Sequence, residues 1–413
     1  MKRITSLNIA RYARILAPVV FCASVVLVTR ATPIDSAADH VLGQSDLQSN
    51  FTPSLPEANT LRGPTGVAID SASGRLYVAD NGYNRVLSWP SATLFSNGQA
   101  ADRVIGQPDF TSDNPNIVSA SYLHTPSSVA IDKSGNLFVA DFANNRVLEY
   151  DTPATSDGVA DRVFGQLDFT HNAPNAGGPS ASSLSGPYGV ALDGLGNLFV
   201  VDKDNHRVLE YNAPLASDTV ADRVFGQPNF TSNTPNAPNP SASTLNTPFG
   251  ATLDAQGNLY VADALNHRVL EYHAALAGDS VADRVYGQPD FVTVTVNTNG
   301  VSANSLNGPY SVAVDPVSSN LLIADTFNHR VLEYKAPSAG DIAADRVFGQ
   351  ASFTTNSPNS GGVSATTLQN PFGIAFDTGG RLFVADTFNY RVLSFDAPVV
   401  LRPMIHIPFV IDP

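Results

Sequence analysis

Cysteine is almost missing from these 413 residues, with Cys22 the only one. Removal of the leader described below would leave none, so the fold cannot lean on disulfides and no thiol nucleophile remains. Glutamate is nearly as scarce. Of five, Glu149, Glu210, Glu271 and Glu333 recur at one place in a pattern, and Glu57 alone stands outside it. After Lys2 the only lysines are Lys133, Lys203 and Lys335. Charged residues make up 15% of the chain, against 43% hydrophobic ones, and no serine sits in a nucleophile-elbow pattern. Such a chain can bury a real core but offers a thin inventory for acid–base or covalent catalysis. Its 30 glycines and 29 prolines point to short strands and tight turns rather than amphipathic helices.

What is present begins with a leader. Lys2, Arg3, Arg11 and Arg14 precede the uncharged apolar run Ile15 to Val28, and Thr29 to Ala31 supplies small residues at its end. The run is short for a bilayer span, which needs roughly 17–25 residues, so residues 1–31 read as a cleaved export signal. A retained N-terminal anchor is the alternative. Cys22 follows Val-Val-Phe and lies in no convincing lipoprotein box. The expected location is secreted, periplasmic or cell-envelope, in keeping with a bacterial protein. The 23 basic residues less the five of the leader leave 18 against 37 acidic ones, a net charge of −19. An acidic surface of that size repels phosphate backbones, so nucleic acid is excluded as a partner.

The body of the chain is one unit written six times. Asp80, Asp141, Asp202, Asp263, Asp325 and Asp386 close apolar runs, at intervals of 61, 61, 61, 62 and 61 residues. Arg85, Arg146, Arg207, Arg268, Arg330 and Arg391 each follow five residues later. So little drift means a repeat architecture. Each unit holds four strand-like runs, for example Pro248 to Asp254, Gly257 to Asp263, His267 to His273 and Ala282 to Gln288, with "DAQGN" as a turn. The pattern predicts an all-β, six-bladed β-propeller of four-stranded antiparallel blades spanning residues 32–398. A fourth-strand motif, "ADHVLGQ" (Ala38 to Gln44), precedes any first strand, and the last unit stops after its third, "YRVLSFD" (Tyr390 to Asp396). The N-terminal segment should therefore close the ring and remove an unpaired edge. The tail 399–413 has no counterpart, and Pro403 and Pro408 make it a poor competitor for that edge.

The stretches "VADTFNHRVLEY", "VADALNHRVLEY" and "VVDKDNHRVLEY" resemble the NHL repeat. Blades one ("NGYNRVLSW") and six ("TFNYRVLSF") depart from it at the histidine position. The resemblance implies a six-bladed propeller and no particular function. Tripartite-motif relatives of that family bind RNA through basic faces, which this acidic chain lacks. Lactonases of the gluconolactonase type, amidating lyases and the streptogramin lyase have a similar fold and place metal or acid–base residues at the channel mouth.

His329 invites a catalytic reading, but Asn84, Asn145, His206, His267 and Tyr390 hold the equivalent places. A general base would not be scattered in this way, so the position should pack at the entry to the third strand. The paired Asp and Arg, present in every unit, should tie strand two to strand three as a buried ion pair or turn cap. Asp157/Asp161, Asp218/Asp222, Asp279/Asp283 and Asp341/Asp345 lie in hairpins without the glycine and distal glutamate of a calcium loop. They should cap turns, with an opportunistic Ca²⁺ as the only cofactor expected and no dedicated metal site. Off the repeat, His124 and His171 are the lone catalytic candidates, and a structural or solvent-facing role is favoured for both.

Variation gathers on one face. The loops from each fourth strand to the next first strand run about twenty residues, rich in Asn, Ser, Thr and Pro (Pro228 to Pro248 is one). The loops between strands two and three share that face and vary in sequence. Just after the proline opening each first strand stand Thr65, Ser127, Tyr188, Phe249, Tyr310 and Phe372. Four consecutive aromatics should thus flank half of the channel mouth, either packing between blades or offering apolar area to a ligand. With Phe327 and Phe388 they form the expected ligand-binding set. The resulting expectation is an exported, monomeric, non-catalytic module that binds a protein, peptide or glycan. Membrane contact would come only through an uncleaved N-terminal segment. The alternative is a metal-assisted lyase or lactonase at the channel mouth.

Overall fold

The computed structural model describes residues 28–30, 35–216, 218–275, 279–335, 342–396 and 399–401. Most of the leader and of the tail, and Asp341, lie outside them. Within Ile34–Ala397 the chain forms one compact unit of six four-stranded antiparallel sheets. Blade four shows the common plan, with strands Pro248–Leu253, Leu259–Asp263, Arg268–Tyr272 and Arg284–Tyr286 running from the channel outwards. The protein is a six-bladed, all-β propeller. Its turns between second and third strands are short 3-10 helices, such as Thr326–Asn328, which the sequence pattern did not reveal.

Alternation along the second strand explains how the blades stack. In Leu259–Asp263, Leu259 and Val261 pack with Phe199, Val201 and Val208 of blade three. Tyr260 and Ala262 point the other way, into a cluster with Val312, Leu321 and Ile323 of blade five. A period of two thus sends successive side chains into successive inter-blade layers. No blade has a core of its own, so each needs both neighbours.

The ring closes as the sequence predicts. His40–Leu42 supplies the outer strand of blade six, with His40 opposite Ser394, Val41 opposite Leu393 and Leu42 opposite Val392. Val41 and Leu42 are fully buried. The Asp396 backbone N–H donates to Asp39 Oδ2 at 2.7 Å and fastens the clasp. Val399–Leu401 of the tail pairs instead with Val28–Arg30, in a two-stranded antiparallel ladder belonging to a separate unit.

Around the channel the first strands touch backbone to backbone. A Cβ on Gly250 would lie 2.5 Å from the Tyr310 carbonyl oxygen, so that position admits little more than a hydrogen. Ser128 and Ser311 hold the equivalent place in blades two and five. Their hydroxyls accept the backbone N–H groups of Val190 and Ile374, each at 3.3 Å.

Candidate ligand-binding face at the channel mouth

Each Asp–Arg pair is fully buried, with Arg Nε to Asp Oδ2 distances of 2.7–2.9 Å. The pair does more than join two strands. Arg330 also donates from Nη1 to the Phe353 carbonyl at 2.5 Å, and from Nη2 to the Ser302 and Ser305 carbonyls at 2.9 Å. One guanidinium therefore grips both the long loop entering its blade and the long loop leaving it. Asp325 Oδ1 accepts the Asn307 backbone N–H at 2.7 Å, and Oδ2 accepts Asn328 Nδ2 at 2.8 Å. Burial raises the Asp325 carboxyl against the opposing pull of Arg330, and these donors keep the buried carboxylate satisfied. The arginine bonds and the backbone N–H to the aspartate recur in the other blades, and the asparagine bond recurs in all but blade one, where Tyr83 takes its place; this is how twenty-residue polar loops acquire a fixed course.

A glutamine adds a second clamp. Gln288 Nε2 donates to the His267 carbonyl at 3.1 Å and to the Thr295 carbonyl at 2.9 Å. The preceding Gly287 has φ +86°, and a Cβ there would meet Leu306 Cδ1 at 2.5 Å. The Gly-Gln pair that ends every fourth-strand motif was visible in the sequence, but its loop-clamping role was not read from it.

The position held by His329 has φ between 51° and 55° in all six blades. Asn and His tolerate this left-handed conformation better than most residues. Its side chain reaches across a blade boundary. Asn84 and Asn145 Oδ1 accept the backbone N–H groups of Thr125 and Gly186 at 2.9 and 2.8 Å. His206, His267 and His329 Nδ1 accept those of Thr247, Gly308 and Asn370 at 3.0–3.1 Å. Asn and His are interchangeable here because each offers an acceptor at the same reach.

The four predicted mouth aromatics converge. Phe249 and Tyr310 stack with ring centroids 3.8 Å apart and 13° between planes. Tyr188 meets Phe249 edge-on at 4.5 Å, and Phe372 meets Tyr310 at 4.7 Å. Tyr188 also comes within 6.3 Å of Tyr310, two blades away, so the rings lean over the channel. Opposite them the small Thr65 and Ser127 are buried, and Ser127 Oγ donates to the Tyr188 carbonyl at 2.7 Å. The channel, lined by all six first strands, encloses about 380 Å³. Burial pushes the Tyr310 phenol up to about 12 and raises that of Tyr188 as well.

Phe327 packs edge-on against Tyr310 at 5.4 Å, and Phe388 lies 6.3 Å from Phe372. Both remain exposed, at 42% and 50%, and Leu265 on blade four joins them at 52%. Leu265, Phe327 and Phe388 occupy one turn position on three consecutive blades, where the other three carry Gly82, Ala143 and Asp204. Leu265 and two further residues at this mouth were not singled out from sequence. Phe142 lies edge-on to Tyr188 at 5.5 Å. Lys203 sits 5.3 Å from the Phe142 ring and 5.6 Å from that of Phe249, while pairing with Asp204 at 2.6 Å.

His171 Nδ1 pairs with the exposed Asp168 at 2.7 Å, and the His124 backbone N–H donates to Asp141 Oδ1. In the hairpin pairs, Asp161, Asp222, Asp283 and Asp345 each accept a backbone N–H at the far side of the turn, at 2.7–2.8 Å. Glu149 is a buried carboxyl that burial, with Asp151 and Asp161 adding, pushes up to about 8. It lies on a third strand opposite Arg162, at a repeat position. Among the described residues, no three His, Cys, Asp or Glu side chains are grouped to hold a metal ion, and no helix is long and apolar enough to cross a membrane.

The NHL repeat family profile matches residues 61–87 and 123–150. NHL repeat-containing protein 2 from Bos taurus is 27% identical over 371 residues, covering 84% of this chain and 48% of its own length. The human protein of that name is 26% identical, with the same coverage. The chain thus spans about half the length of these curated relatives. Among solved structures, a protein of unknown function from Bacteroides thetaiotaomicron has a TM-score of 0.52 at 13% identity, covering 86% of this chain and 74% of its own. That likeness concerns the fold alone. A streptogramin B lyase has a TM-score of 0.46 at 14% identity, covering 84% of this chain and 96% of its own.

Proposed function

We propose, for a chain that belongs to the NHL-repeat family, that the long-loop face of the propeller is its ligand-binding surface and takes a protein, peptide or glycan at the channel mouth. The NHL propeller fold supports a binding or interaction module. One observation carries the placement. Leu265, Phe327 and Phe388 expose large apolar side chains on three adjacent blades, above a floor of packed aromatic rings. Neighbouring apolar groups held in water on a rigid base are the usual anatomy of a binding hot spot. The rings below, fixed by mutual edge and face contacts, would give up little entropy on binding.

The leader's basic and apolar composition supports export, so the ligand would be met outside the cytoplasm, in the bacterial envelope or beyond it. The working form is taken to be a monomer that needs no cofactor. The test is capture by residues 32–413, immobilised and probed with a glycan array and a peptide library. Replacing Leu265, Phe327 and Phe388 together by Ala should weaken a captured ligand by at least roughly 30-fold, the effect of losing a single hot-spot residue worth about 2 kcal/mol. Undiminished capture by a variant with unchanged circular dichroism would remove the crescent as the site.

A further inference from the structure

The inter-blade staples divide the ring into two chemically different arcs. Blades one to two and two to three are joined through Asn84 and Asn145, whose amide oxygens accept at any ordinary pH. Blades three to four, four to five and five to six are joined through the Nδ1 atoms of His206, His267 and His329. Tyr390, at the boundary of blades six and one, has neither an amide nor an imidazole.

We propose that these three histidines make the arc from blade three to blade six an acid-sensitive half of the ring, whose channel mouth loosens on protonation while the asparagine-joined boundaries hold. An imidazole that accepts a backbone N–H at Nδ1 carries its proton on Nε2. Adding a proton at Nδ1 turns the acceptor into a donor facing another donor. Each event takes up one proton, breaks one inter-blade bond and leaves a backbone N–H without its partner. The consequence falls on the mouth. Thr247, Gly308 and Asn370 stand two residues before Phe249, Tyr310 and Phe372, the rings that lean over the channel.

The surroundings favour the neutral rings. Burial lowers the pKa of all three. At His206, Asp204 pulls upward and Lys203 downward, both from its own turn. Across each boundary the Asp–Arg pair of the next blade is closed. Asp263–Arg268, Asp325–Arg330 and Asp386–Arg391 hold the residue just before each stapled one, through the N–H groups of Asn246, Asn307 and Gln369. Gln227, Gln288 and Gln350, which bond to the histidine carbonyls, are uncharged. Because the folded pKa values are depressed, the stabilisation from these neutral rings is present above about 6.5 and is lost as pH falls towards the folded values.

Hydrogen exchange of the whole propeller, corrected for chemical exchange at each pH, tests this without any ligand. Between about pH 7.5 and about pH 5, the amides of Thr247, Gly308 and Asn370 should lose protection by up to about tenfold per pH unit below about 6.5. Those of Thr125 and Gly186 should not change. The triple variant His206→Asn, His267→Asn, His329→Asn copies the staple the chain already uses twice, so it should fold and keep protection at all five amides. Equal loss at the asparagine-joined and histidine-joined amides would overturn the proposal, as would acid loss that persists in the triple variant.

Discussion

Replacing Arg330 by Met should show how much of the long-loop face depends on one buried guanidinium. The side chain is wholly buried and makes four bonds, to Asp325, Phe353, Ser302 and Ser305. Methionine fills much of the volume but donates nothing. Asp325 would keep the Asn307 N–H and the Asn328 amide while losing its counter-charge. Breaking a buried pair from one side costs about 3–5 kcal/mol. A ring of about 360 residues has an unfolding entropy of roughly 0.76 kcal/mol/K, so the melting temperature should fall by about 4–7 °C. Hydrogen exchange separates the two roles of the pair. Protection should fall in the loop around Ser302–Asn307 and in the loop around Phe353 together, although they enter and leave the blade at different points. In the double variant Asp325→Leu, Arg330→Met the unpaired charge is gone, so much of the melting temperature should return while both loops stay exposed. A single variant that loses less than about 1 kcal/mol and keeps both loops protected would refute the view that this arginine holds them.

Two other outcomes follow from the same geometry. Deleting residues 34–44 strips Ala38, Val41 and Leu42 from the core and leaves the third strand of blade six as an open edge, so stability should drop by on the order of 5 kcal/mol with concentration-dependent light scattering; an unchanged urea midpoint would show that the ring does not need its clasp. Burial pushes the Tyr77 and Tyr310 phenols up to about 12, so the stability gained by keeping them neutral is present below about pH 10 and lost as pH rises through about 12. Phenolate absorbance should appear together with unfolding, and Tyr77→Phe should flatten part of that alkaline limb.

Most of the ring was legible because its determinants are local and repeated. The 61-residue period, the four apolar runs and the displaced "ADHVLGQ" are statements about sequence, and together they specify blades, strand order and clasp. The buried arginine was legible as a partner for aspartate but not as the keeper of two loops. Its other bonds go to backbone carbonyls such as those of Ser302 and Phe353, which every residue type offers and no pattern marks. His329 was legible as non-catalytic from its replacement by Asn elsewhere. That the exchange conserves an acceptor aimed across a blade boundary needed the left-handed backbone and the distance to Asn370.

The mouth shows the limit most clearly, and the reason is steric. Tyr188, Phe249, Tyr310 and Phe372 were placed on the correct strands by position alone. Whether they would present their faces or close on each other depends on what stands opposite, and Thr65 and Ser127 are too small to hold them apart. Four rings therefore spend much of their surface on one another and make a floor. The apolar surface left in water is one step outward, on turns where blades four to six carry Leu265, Phe327 and Phe388 and the remaining blades carry Gly82, Ala143 and Asp204. A residue type repeated in every blade, like Asp325 and Arg330, answers a need that every blade has. A bulky apolar residue at one turn of only three neighbouring blades answers no such need, and it leaves large side chains in water where the fold gains little from them. The break in the repeat is therefore the feature on which the proposed binding surface rests.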